Sequence, residues 1–137
     1  MNRIIVDTNV LVYSIDKDSK FNSRAIDLLT NTNYDLYTTS KNLSEFLVVL
    51  TRDIEVPLNI IQAVDLLEGL SGNFTILYPS KNSFKHFRKI LLKYKPKGLK
   101  IHDFEIISIG LENGIKQIAT INTKDFKSVD ELNLIEF

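Results

Sequence analysis

Asp7 follows three consecutive aliphatic residues, Ile4, Ile5 and Val6. An ionised carboxylate at the end of so apolar a run is costly unless something compensates it. It either caps a following helix or is held there for chemistry, with the polar Thr8 and Asn9 beside it. Glu45 stands among apolar neighbours in Leu43-Ser44-Glu45-Phe46-Leu47; the competing reading is an ordinary exposed glutamate. Asp103 follows His102 and opens an apolar stretch at Phe104, where helix-dipole electrostatics alone would favour an acid. Asn122 and Asp125 lie in Thr120-Ile121-Asn122-Thr123-Lys124-Asp125-Phe126, which is also ordinary turn chemistry. Gathered at one edge of a fold, these carboxylates would repel one another, and a hard divalent cation offsets that repulsion. Mg²⁺ suits one or two carboxylates plus waters and phosphate oxygens. The chain has no cysteine and two histidines, which excludes a thiolate zinc site, a disulfide scaffold and a cysteine nucleophile. The chemistry that fits is phosphodiester hydrolysis at Mg²⁺ or Mn²⁺; two ions, if bound, would sit ~4 Å apart.

The elements that must position these groups alternate. Arg3–Asp7 reads as a buried strand. A helix capped by Ser19 or Asn22 runs to about Leu29, and a second strand spans Asp35–Thr39. A helix from Ser40 or Asn42 follows, through Phe46, Leu47 and Leu50. Pro57 suits the first turn of the next helix, which keeps the helical period through Ile60, Ile61, Val64, Leu67 and Leu70 and stops at Gly69 and Gly72. Phe74–Tyr78 reads as a third strand. Ser80 and Ser83 can cap a basic helix, with Phe84, Phe87, Leu91 and Tyr94 on one face and Lys85, Lys89 and Lys93 on another. Pro96-Lys97-Gly98 breaks it. A helix from about His102 to Asn113 ends at Gly114. Lys116–Ile121 is a fourth strand, and Leu134–Phe137 a short fifth. Strands separated by helices imply a parallel sheet covered on both faces. Ligands in such sheets bind beyond the carboxyl ends of the strands, where the strand order reverses. The expectation is one α/β domain over residues 1–137, without repeat or low-complexity segment.

The 137 residues carry 17 basic and 17 acidic side chains, but eight of the basic ones fall between Lys81 and His102, where there is no acid. The rest of the chain therefore has a balance of −8. A one-signed segment is either a polyanion footprint or a solvated helix face. Lys95, Lys97 and Lys100 flank the Pro-Gly break just before Asp103, a suitable place to grip the phosphates of a polyanion. Tyr94 would stack a base or belong to the core. No apolar run approaches the ~18 residues needed to span a bilayer, and no signal segment is recognisable; a cytoplasmic protein without membrane contact is expected.

Val6-Asp7-Thr8-Asn9, Ser44-Glu45-Phe46, His102-Asp103-Phe104 and Thr120–Phe126 together resemble the four motif blocks of PIN-domain ribonucleases. The closest likeness is to the VapC-type toxins of toxin–antitoxin pairs, in motif order and in length. The resemblance implies a three-layer α/β/α sandwich with a central parallel sheet of four to five strands. It implies Mg²⁺- or Mn²⁺-dependent cleavage of RNA, homodimers, and inhibition by a small antitoxin encoded nearby. By position, Asp7 and Asp103 match principal metal ligands, and Glu45 the acid that holds or orients the metal and its water. Asn122 falls at an Asp-or-Asn position of the fourth block and Asp125 at its second acid; Asn122 brings no charge. Thr8, Asn9 and Thr120 match polar positions that support the acids on the substrate side. Lys95, Lys97 and Lys100 complete the candidate substrate contacts.

Two other readings compete. An aspartate-nucleophile phosphatase would use Asp7, but needs an acid where Asn9 stands. A non-catalytic PIN-like module would bind RNA or a partner without turnover, and Asn122 in place of an acid is its one hint.

Overall fold

The computed structural model describes residues 2–135. Its elements are β1 (Asn2–Val6), α1 (Thr8–Ile15), α2 (Asn22–Thr30), β2 (Tyr34–Thr39), α3 (Ser40–Val48) and a π turn (Val49–Asp53). They continue through α4 (Ile60–Ser71), β3 (Thr75–Leu77), α5 (Lys81–Tyr94), α6 (Lys100–Glu112), β4 (Gln117–Ala119), α7 (Thr123–Phe126) and β5 (Asn133–Ile135). The expected end of the last strand, Glu136 and Phe137, lies outside the described residues.

All strand pairings are parallel, in the order β3-β2-β1-β4-β5. β1 is the centre, and its Ile4, Ile5 and Val6 are buried on both faces, as a parallel sheet requires. Alternation sends Ile4 and Val6 into one layer with Val10, Leu11, Ala25, Leu28, Phe46 and Leu50. Ile5 enters the other, with Ile90, Phe104, Ile107 and Phe126. One helical layer is thus α1–α4 and the other α5–α7, the α/β/α sandwich expected. The strand order reverses at β1, between β2 and β4, so the switch point opens at the carboxyl ends of β1 and β4.

Local chemistry sets most helix starts. Thr39 and Asn42 form a capping box on α3, Asn59 and Gln62 on α4, and Ser80 and Ser83 on α5. The cap of α3 is therefore Thr39, with Asn42 its reciprocal partner. Pro57 stands outside α4, because Asn59 caps it two residues later. Gly69 lies within α4, and Gly72 alone terminates it. α2 begins at Asn22 without a side-chain cap; Asn22 instead donates to the Tyr13 carbonyl (2.8 Å). Phe84, expected on the packed face of α5, is 62% exposed, and Ile90 takes the buried position. α1 is an additional helix, entered directly from Asp7. Gly110 brings α6 onto β1: a Cβ there would press into Ile5 Cδ1 and stand 3.2 Å from the Ile115 carbonyl oxygen. Among the described residues no helix is long and apolar enough to cross a membrane.

Candidate active site

Asp7 leaves the central strand with its amide donating to the Ala119 carbonyl (3.0 Å), so the ends of β1 and β4 are tied together. Its side chain is 6% exposed and is held by three donors. Oδ1 accepts from the Thr8 amide (2.9 Å) and from Asn42 Nδ2 (3.2 Å), and Oδ2 from Thr120 Oγ1 (2.8 Å). The capping reading of Asp7 holds, since it is the N-cap of α1, and the same side chain lines the cavity at the switch point. Burial pushes its carboxyl above the ordinary range, Glu45 adds to that, and the three hydrogen bonds oppose it.

Thr8 Oγ1 donates to Glu45 Oε2 (2.8 Å) and accepts from Asn42 Nδ2 (3.0 Å). Asn42 is fully buried and links the α3 cap to Asp7 and Thr8. Sequence reasoning saw it only as a helix start. Its one signal was the Thr39-x-x-Asn42 spacing, and its reach to Asp7 is a tertiary fact. Asn9 Nδ2 donates to Thr120 Oγ1 (3.1 Å), and Asn9 Oδ1 accepts from the Ile121 amide (3.3 Å). Asn9 is thus committed to the β4 end, where a phosphatase of the competing kind would need a second acid.

Asp103 reaches the same place from α6. Asp7, Thr8, Asn9, Val12, Tyr13, Glu45, Val49, Asp103 and Asn122 line one cavity of about 300 Å³. The carboxyl of Asp103 is pushed up to about 7 by partial burial and by the charges of Asp7, Asp125 and Glu45, with Lys100 pulling the other way. Asp125, on α7, acts on Asp103 through its charge without lining the cavity. Asn122 is exposed at the rim, its amide donating to Thr120 Oγ1 (3.1 Å). A larger hollow of about 480 Å³ opens at the amino ends of β2 and β3, but among the described residues Asp35 is the only carboxylate on its wall.

Lys95, Lys97 and Lys100 are all exposed, on the α5–α6 connection and the first turn of α6. Lys95 ends α5 in the left-handed region (φ 50°). Tyr94 belongs to the packing: its ring lies 5.7 Å from that of Phe104, and its hydroxyl donates to Glu131 and accepts from the Asp130 amide (2.9 Å). That settles its two readings in favour of the core. Lys93 pairs with Glu131 (3.1 Å), which removes one charge from the free basic set.

The donor set consists of hard oxygens. Among the described residues, no lysine or arginine forms an ion pair with Asp7, Glu45, Asp103 or Asp125, so the mutual repulsion is opposed at Asp103 only in part, by the unpaired charge of Lys100. Nor do three acidic or histidine side chains close into a ligand set by themselves. That combination fits a cation which takes one or two carboxylates and keeps several waters, as Mg²⁺ does.

A family model of the PIN domain matches residues 4–132. No curated protein matches the sequence. Among solved structures, the chain is similar to VapBC2 of Rickettsia felis bound to a promoter DNA fragment, with a TM-score of 0.73, 21% identity and 98% of each chain covered. It is similar to FitAcB of Neisseria gonorrhoeae, with a TM-score of 0.72, 20% identity, and coverage of 97% of this chain and 96% of that one. A third similar structure is VapC20 of Mycobacterium tuberculosis, described as a toxin that cleaves the sarcin–ricin loop. Its TM-score is 0.72 at 14% identity, covering 92% of this chain and 95% of that one. At these identities the likeness is one of fold.

Proposed function

The chain belongs to the PIN-domain family, and from that premise we propose that it is a Mg²⁺- or Mn²⁺-dependent endoribonuclease, the toxin of a type II toxin–antitoxin pair. The observation that carries this reading is the meeting of Asp7, Glu45 and Asp103 in one cavity at the switch point, with no cationic side chain paired to them. Asp7 and Asp103 would hold the cation, and Glu45 would complete or orient its surroundings. When bound, the cation supplies Lewis-acid activation of water and neutralises charge on the scissile phosphate.

The chain's own residues do the positioning. Thr120, Asn42 and the Thr8 amide fix the Asp7 carboxylate, so its rotamer is set before substrate arrives. Thr8 holds Glu45 toward the same cavity. Asn9 and Asn122 bind Thr120 from its other side and keep its hydroxyl proton on Asp7. Thr8 and Asn9 are thus positioning residues on the cavity wall, and the buried Thr120 is one behind it. Asn122 offers a neutral carbonyl at the rim and Asp125 a charge beyond it. Lys95, Lys97 and Lys100 would bind RNA phosphates, offsetting the repulsion that the acids exert on a polyanion.

Residues 1–137 are read as one such unit, acting in the cytoplasm. Its partners would be a small antitoxin encoded nearby and a second copy of itself. The antitoxin complexes among the similar structures support this, as does the exposed apolar stretch of Val56, Ile60 and Ile61.

Replacing Asp7 or Asp103 by Asn tests the reaction. Each variant is expected to lose RNA cleavage in Mg²⁺ or Mn²⁺ by about 100-fold or more, the scale of removing one preorganised electrostatic contact. Circular dichroism should show the native fold. Full cleavage by both variants would overturn the reading.

A further inference from the structure

One wall of the acidic cavity has no part in the chemistry just described. Tyr13, in the last turn of α1, lines it together with Asp7, Glu45 and Asp103. Its ring is half-buried, and among the described residues nothing hydrogen-bonds its hydroxyl. The ring lies 5.0 Å from that of Phe21, centroid to centroid, with the planes inclined at 51°. Phe21 is accompanied by cations: Lys20 Nζ lies 5.0 Å and the Arg24 guanidinium carbon 5.6 Å from its ring centroid. Asn22 Nδ2 donates to the carbonyls of Tyr13 (2.8 Å) and Ser14 (3.3 Å), fixing the start of α2 against the end of α1. The aromatic pair is therefore held rigidly from behind.

A purely structural role explains the stacking of Tyr13 on Phe21. It does not explain why the ring borders a cavity of carboxylates with an unengaged hydroxyl, nor why cations gather at the outer ring. We propose that Tyr13, backed by Phe21, is a stacking platform for one unpaired nucleobase of single-stranded RNA next to the scissile phosphate, with Lys20 receiving the backbone beyond it. The proposal rests on the ribonuclease reading and adds to it a residue that contacts the substrate base. A base reaches an aromatic face only when it is unstacked from its neighbours, so loops and single strands qualify and a continuous duplex does not. Stacking on an aromatic side chain tolerates any base. The placement suits a polyanion that must cross an acidic cavity. Lys95, Lys97 and Lys100 belong to the α5–α6 connection and the start of α6, and Lys20 to the α1–α2 connection, so the chain offers phosphates cations from both helical layers.

The test is an abasic scan. A single-stranded RNA oligonucleotide that the protein cleaves is made with one base removed at each position within two nucleotides of the cut. With the wild-type chain, one of these positions is expected to raise KM about tenfold with little change in kcat. Tyr13→Ala should raise KM for the intact oligonucleotide by a similar factor and be indifferent to the missing base. Tyr13→Leu, which keeps most of the packing volume, should behave in the same way, whereas Tyr13→Phe should retain the sensitivity. Sensitivity that persists in Tyr13→Leu overturns the platform, and so does a fall in kcat at unchanged KM, which marks a structural role. Failure of the wild-type chain to cleave any RNA overturns the parent reading instead.

Discussion

Asp103 sits among acids that form no ion pair with a lysine or arginine among the described residues. Its carboxyl is pushed up to about 7 by burial and by the acids around it, and Asp7 is raised in the same sense. A carboxyl whose folded-state value exceeds the ordinary ~4 binds more protons folded than unfolded between the two values. Stability of the metal-free protein must therefore fall as pH climbs from about 4 toward 7. The urea midpoint in chelator is expected to drop between pH 5 and pH 7.5, and Asp103→Asn to flatten that dependence and raise the midpoint at pH 7.5. Divalent ion should restore the wild-type midpoint and release protons as it binds. A midpoint that rises with pH in chelator would contradict the assignment. At this scale the sequence was informative where a charge borders an apolar run, after one at Asp7 and before one at Asp103. It was silent on Asn42, whose capping spacing is local but whose work on Asp7 joins residues 35 positions apart.

The element that delivers Asp103 depends on a missing side chain. Gly110 lets α6 lie against Ile5 of the central strand, and almost every face of this helix is buried, through Phe104, Ile106, Ile107 and Ile109. Gly110→Val would force the helix off the sheet, and overpacking of this kind costs about 1–3 kcal/mol. A lowered urea midpoint, together with weaker RNA cleavage through displacement of Asp103, is the expected result; an unchanged midpoint would mean that the contact yields freely. Elements were legible unevenly. Capping boxes announced α3 and α5 to within a residue or two. α1 did not stand out, because Thr8, Val10, Val12 and Ile15 are β-branched and stiff at χ1, and tertiary packing overrides that preference. Phe84 obeyed the period of α5 and still faces solvent, since period fixes a face but not what covers it.

For the whole molecule, charge is sorted rather than balanced: the Lys81–His102 segment is purely basic and the remainder carries −8. Replacing Lys95, Lys97 and Lys100 together by Ala should weaken RNA binding and make the slope of log K against log salt shallower by roughly 2, given about 0.7 per phosphate of a single strand. An unchanged slope would mean that these lysines do not touch the backbone. The alternation of strands and helices made a parallel sheet legible, but not the order β3-β2-β1-β4-β5. That order depends on where β4 docks, and no local signal encodes it. Its docking has a consequence in time. Asp7 takes a hydrogen bond from Thr120, 113 residues further along the chain, and β1 gains its second neighbour only when β4 exists. On the ribosome, a nascent chain would carry Asp7 while the Thr120 that holds it is still 113 residues from being made. If the chain is the nuclease proposed, its first acid stays without its fixed rotamer, and its acidic cavity incomplete, until β4 has emerged beside β1.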